Sequence, residues 1–184
     1  IVSHKVVGPT LGKDSIEKSK IAGAIGTLVV LLFMFFLYRI PGIAANIALL
    51  IYILISFAIL KLLHATLTLP GLAGFMLTIG IAVDANVLIF ERIKEERAQG
   101  QSLQASIQHG FSRARVSILD SNITTLIGAA ALFALGTGSI KGFAVTLSVG
   151  ILVSMFTAIT VTRVILNIFV RNCANEDRIF KGQP

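Results

Sequence analysis

Long apolar runs separated by short polar links dominate the chain. Five of them approach the ~20 residues that a helix needs to cross ~30 Å of hydrocarbon: 21–38, 43–60, about 69–90, about 116–135, and 143 to about 162. Arg39 with Pro41-Gly42 closes the first run, Lys61 the second, Glu91-Arg92 the third and the Gly136-Thr137-Gly138 turn the fourth. The fifth continues past Arg163 as VILNIFV. Links this short predict an all-α membrane protein, a five-span antiparallel helix bundle over residues 21–171. Residues 1–20 break the pattern: they are polar, with a short β-like run and a Gly8-Pro9 turn. They read as the tail of an extracytoplasmic domain, with Asp14 or Ser15 capping the first helix. The chain opens on Ile1 with no initiator Met, charged leader or small-residue cleavage site, so the expectation is an internal or C-terminal part of a longer protein. Residues 172–184 form a polar tail.

Segment 91–115 is the longest link on its side. ERIKEERAQG carries the third helix into water, where Glu91 and Lys94 make a favourable i,i+3 pair. After Gly100, Leu103, Ile107 and Phe111 recur every fourth residue opposite Gln104, Gln108 and Arg113. That spacing predicts an amphipathic helix lying on the membrane surface, read as a connector or a docking site. Ten basic residues (Arg39, Arg92, Lys94, Arg97, Arg113, Arg115, Arg163, Arg171, Arg178 and Lys181) fall on the side of this loop. Six (Lys5, Lys13, Lys18, Lys20, Lys61 and Lys141) fall on the other. The bias of basic residues toward the cytoplasm predicts an N-terminus outside and a C-terminus inside.

Polarity inside the runs locates the candidate chemistry. Asp84 lies six residues before the charged end of the third run, roughly 9 Å inside the boundary at ~1.5 Å per residue. An ionisable group there marks a pathway or relay on energetic grounds. With Gly80 leaving space four residues earlier, the carboxyl is expected to face packed protein or a water-filled seam. Desolvation favours the neutral acid, which makes the group able to change charge near neutral pH. The competing reading is a protonated Asp84 that only hydrogen-bonds a neighbouring helix. Asn86 is a supporting polar residue on the same run. The fourth run opens with Ser117, Asp120, Ser121, Asn122, Thr124 and Thr125. Asp120 reads either as a carboxylate favoured by a helix N-terminus or, with Asn122, Thr124 and Thr125, as part of a hydrated path beside Asp84. In the fifth run Gly142, Thr146, Gly150, Ser154, Ala158 and Thr162 are all small and all four apart. They predict a close helix-packing ridge that winds diagonally. Arg163, just beyond, reads as snorkelling to headgroups.

Composition narrows the class. The chain is 55% apolar and 14% charged, against about 25% charged in soluble domains, and its mean hydropathy is +0.87. The net charge of +7 points in so apolar a chain to lipid headgroups and not to nucleic acid. A single cysteine, Cys173, excludes a disulfide framework and zinc sites built on paired cysteines. His4, His64 and His109 have no ligand spacing, so no metal is expected. There is no phosphate-binding GxxxxGK[ST] loop and no nucleophile–base pair. The expectation is a protein that is not an enzyme and has no cofactor.

The stretch LTLPGLAGFMLTIGIAVDANVLIFERIKEE (67–96) resembles the fourth transmembrane segment of the SecD branch of the SecD/SecF family, membrane subunits that assist the Sec protein-export translocase. VGPTLGKDSI (7–16), GFSRARVSILDSNITTLIGAAAL (110–132) and GTGSIKGFAVTLSVGILVSMFTAITVTR (136–163) agree in order, and AVDANVLIFER is the specific motif. Ser121 departs from the alanine usual in the family. The resemblance implies spans two to six of a six-span subunit of the resistance–nodulation–division type, in the bacterial cytoplasmic membrane. The function it implies is proton-driven assistance of late export steps, with Asp84 as the proton relay and its counter-charges in SecF, separate or fused. The SecYEG channel and the translocating preprotein would be met through the complex. A scaffold subunit without a relay, and half of a related proton-driven efflux transporter, are the alternatives.

Overall fold

A computed structural model describes residues 9–172 except Leu67, with side chains over 15–171. The expected β-like run at the start, within residues 1–8, and the polar tail with Cys173 lie outside the described residues. Every described element is helical: α1 (Pro9–Leu62), α2 (Leu69–Ala98), α3 (Leu103–Leu135), α4 (Ser139–Phe156), a π-helical turn (Thr157–Val161) and α5 (Thr162–Asn172). α4, the π turn and α5 follow one another without a break. Among the described residues, four helices are long and apolar enough to cross a membrane: Ser15–Leu62, Leu69–Ala98, Leu103–Leu135 and Ser139–Arg171.

The expected count of five runs is therefore not matched helix for helix, because the first two share α1. That helix is interrupted at Arg39, whose φ of 48° and ψ of −111° are non-helical. Pro41, which cannot donate to the helical ladder, follows two residues later. The two arms, 9–38 and 40–62, lie side by side. Asn46 Nδ2 donates to the Leu31 carbonyl at 3.0 Å across fifteen residues of sequence, which a straight helix would hold ~22 Å apart. Gly42 sits where a Cβ would run into the Met34 carbonyl oxygen, so the reversal needs a residue without a side chain.

Three local expectations are corrected. Asp14 and Ser15 do not cap the first helix, because α1 already starts at Pro9; the fixed φ of proline suits a first helical position. The amphipathic stretch after Gly100 is not a separate surface helix. Ser102 caps α3 through its side chain, accepting from Ala105 N at 3.3 Å, and the helix runs unbroken to Leu135. Leu103, Ile107 and Phe111 are buried in the core with Ile93 of α2, and Gly110 lies directly against the Ile93 backbone. The apolar stripe thus packs on the extension of α2 rather than on lipid. Lastly, Asp120 is not near a helix N-terminus, since α3 begins at Leu103, so the dipole argument for it does not hold.

α2 is the central element, and the other helices pack around it. Thr68 caps it, its hydroxyl accepting from Gly71 N at 3.2 Å, with Pro70 in the first turn. Its charged end continues beyond the apolar run as expected.

Candidate functional site

Residues two apart on a helix point to opposite sides, about 200° apart, and α2 uses this to present two different faces. One face, with Gly71, Gly74, Thr78, Ala82 and Asn86, is buried. The other, with Ala73, Leu77, Gly80 and Asp84, is exposed on this chain.

The buried face receives the small-residue ridge. Gly142 and Thr146 lie at Gly71, Thr146 lies at Gly74, and a Cβ on Gly150 would stand 2.6 Å from Thr78 Cβ. Thr146, Ser154, Ala158 and Thr162 are all almost completely buried. Both numberings rise together, so α4 runs parallel to α2. Tyr52 closes the seam, donating to Thr78 Oγ1 at 2.7 Å. Asn86 ends it: its Oδ1 accepts from the Thr162 hydroxyl at 2.7 Å and its Nδ2 donates to Ala82 O at 3.2 Å. A strict four-residue repeat gains about 40° per step, about 200° between Gly142 and Thr162, which would carry Thr162 away from α2. The π turn at Thr157–Val161 holds one extra residue and returns about 100° of that drift. The ridge therefore stays on α2 with less winding than a pure α-helix would impose.

On the exposed face the Asp84 side chain makes no hydrogen bond or ion pair among the described residues. Of the two expected surroundings, packed protein or a water-filled seam, this chain does not supply the first: its Gly80–Asp84 stripe faces outward, and a Cβ on Gly80 would meet nothing within 4 Å. The packing of α4 claims the opposite side of α2 and leaves this one free. A groove of ≈ 260 Å³ lined by Gly23, Gly26, Thr27, Met76, Ile79 and Gly80 runs along it, beside the first arm of α1. Asp120 and Thr124 are also exposed, while Asn122 is buried. The hydroxyls of Thr124 and Thr125 bond their own helix, to Asp120 O and Ser121 O at 2.9 Å each, so they are used locally. No hydrogen bond joins this group to Asp84. Arg163 is exposed and forms no ion pair with Asp84.

One cluster escapes the sequence reading, and a second extends a pair that it expected. Glu96, 1% exposed, pairs with Arg113 Nη1 at 2.7 Å, lies 3.7 Å from His109 Nδ1 and accepts from Gln101 Nε2 at 2.8 Å. It clamps the ends of α2 and α3. Its only sequence signal was an acidic residue on the same loop as Arg113. At the end of the apolar run of α2, Tyr38 donates to Glu91 Oε1 at 2.8 Å, and Lys94 pairs with the same oxygen at 3.0 Å. Partial burial opposes ionisation of Glu91, yet the bonds from Lys94 and Tyr38 outweigh it and hold the carboxyl below its ordinary value. The expected Glu91–Lys94 pair is present.

A family model described as protein export membrane protein SecD/SecF, C-terminal, matches residues 1–172. The chain belongs to the SecD/SecF protein-export membrane family. It is 59% identical to the protein translocase subunit SecD of Acidaminococcus fermentans over 92% of this chain and 41% of that protein. To the protein of the same name from Synechocystis it is 54% identical, over 92% of this chain and 36% of the relative. The crystal structure of SecDF from Thermus thermophilus, described as a translocon-associated membrane protein, superposes with a TM-score of 0.87 at 43% identity, covering 90% of this chain and 23% of that one. The chain thus spans less than half the length of these SecD relatives. The resemblance carried by AVDANVLIFER holds across nearly the whole chain, and α2 with its two faces is the SecD/SecF element on which that motif lies.

Proposed function

We propose that this chain is the membrane part of a Sec translocase accessory subunit that couples the proton gradient to late steps of protein export. It does no covalent chemistry of its own and takes no cofactor. In this reading α1 crosses the bilayer twice, because its arms fold back at Arg39, and the chain crosses five times, N-terminus outside and C-terminus inside, in the bacterial cytoplasmic membrane. Residues 1–20 join an extracytoplasmic domain and 172–184 a cytoplasmic tail. A SecF half, separate or fused, covers the Asp84 face, and SecYEG and preprotein are reached through the complex.

The observation that carries the reading is the position of Asp84. Its carboxylate sits within an apolar run, on a face of α2 that this chain leaves uncovered beside Gly80. A group that served only as an internal hydrogen-bond donor would lie on the buried side, where Asn86 does that work. A bare carboxyl in hydrocarbon is unfavourable, so the face calls for a polar or charged partner, and the group is placed to exchange a proton there. The test compares wild type with Asp84→Asn in the full-length parent with its SecF half, in membrane vesicles. The expected outcome is an assembled complex that exports preprotein but has lost acceleration by a proton gradient. Full acceleration in the variant refutes the relay and leaves the scaffold reading.

A further inference from the structure

The only π turn among the described residues lies where the ridge of α4 meets Asn86. Such turns insert one residue into a helix and recur at functional sites. Here the i→i−5 bond runs from Thr162 N–H to Thr157 O. The Thr162 hydroxyl has one proton and two acceptors within reach: Asn86 Oδ1 at 2.7 Å and Thr157 O at 3.3 Å. Thr157 is itself buried, its hydroxyl reaching Val153 O at 3.0 Å and Ser154 O at 3.1 Å. If α2 moves away, the Thr162 proton turns to Thr157 O and stays satisfied inside its own helix, while Asn86 Oδ1 loses that donor. The pair therefore has two arrangements at one end of the contact. At the other end, Gly150 packs directly against Thr78, where a Cβ would clash.

Asn86 lies two residues from Asp84, on the opposite side of α2, so a movement of the Asp84 face displaces Asn86 against the π turn. The pair contains no ionisable group. The neighbouring Arg163 is exposed, so the pair responds to charge only through the position of α2. Resting on the relay reading of Asp84, we infer that Asn86 and Thr162 are positioning residues: their hydrogen bond at the π turn couples the placement of Asp84 on α2 to α4 and α5.

The experiment uses the same vesicles and full-length complex. Thr162→Val removes the hydroxyl at nearly constant volume, and Thr162→Ser keeps it. The coupling predicts that Thr162→Val loses about fivefold or more of the gradient-driven acceleration, with gradient-independent export and copurification with the SecF half unchanged. Thr162→Ser retains the acceleration. Wild-type acceleration in Thr162→Val overturns the inference, and so does an equal loss in Thr162→Ser, which would assign the effect to packing of the methyl group. If Thr162→Val fails to assemble, amide exchange over 157–162 decides: the inference requires a difference between wild type and Asp84→Asn, and identical exchange overturns it. Asp84→Asn run in parallel separates the two failures. If that variant keeps its acceleration, the relay is wrong; if it loses acceleration and Thr162→Val does not, only the coupling is wrong.

Discussion

Asp84 and Asn86 stand two residues apart on one helix, yet they live in different surroundings. The Asn86 side is closed: glycines and hydroxyl residues of α2 and α4 approach to contact distance, and each described polar group along the seam finds its partner within the chain. The Asp84 side is open: a Cβ on Gly80 would meet nothing within 4 Å, and the carboxylate has no partner among the described residues. Small residues thus do two different things on α2. On the closed side glycine permits a contact already made inside the chain. On the open side it keeps a surface low for something that arrives from outside.

Substitutions that fill either side break or sharpen this contrast. Gly150→Val on the closed side drives a side chain into Thr78 and should destabilise the bundle by about 3 kcal/mol, read as a lowered Tm of the purified protein in detergent. An unchanged Tm would mean that the seam is looser than its distances. Gly80→Leu on the open side places its Cβ in open space, at the edge of the groove beside the first arm of α1. It should change the stability of the bundle by no more than about 1 kcal/mol, in the stabilising direction expected from helix propensity and read as a small rise in Tm, while reducing copurification with the SecF half several-fold. Undiminished copurification would make the open side a lipid surface instead of an interface. The smallest effect belongs to the end of α2, where half-exposed Glu91 is held by buried Tyr38 and by Lys94. Because its carboxyl lies below its ordinary value in the folded chain, its contribution is present above pH ~4.5 and is lost as pH falls through the folded value. Wild type should therefore show a slightly larger drop in Tm on acidification below pH ~4.5 than Glu91→Gln. Equal drops would mean that the Tyr38–Glu91–Lys94 cluster adds nothing to stability.

Much of this architecture is written in one-dimensional spacing. The apolar runs, the extension of α2 past Phe90, the Glu91–Lys94 pair and the ridge from Gly142 to Thr162 all follow from helical periodicity, because each involves residues less than a few turns apart. Where the reading failed, it failed at positions that depend on a distant partner. Leu103, Ile107 and Phe111 form a correct amphipathic stripe, but periodicity does not say whether lipid or another helix covers it; Ile93 does. Asp120 looked like a residue near a helix start because its apolar run begins only at about residue 116, whereas α3 begins at Leu103. Glu96 was indistinguishable from its neighbour Glu95 until the hairpin brought Arg113 and Gln101 to it.

Hydropathy and residue spacing alone establish an all-helical membrane chain with an acidic residue in its third apolar run, and the specific motif around Asp84 ties it to the SecD/SecF family. These properties are local, set by the character of each side chain and the 3.6-residue turn. The orientation of Asp84 outward and Asn86 inward depends on which side of α2 receives α4. The fold-back at Arg39 and the π turn that keeps Thr162 on Asn86 depend likewise on contacts between segments fifteen to seventy-six residues apart. Helical period places residues on faces; only packing assigns a face to the interior or to a partner.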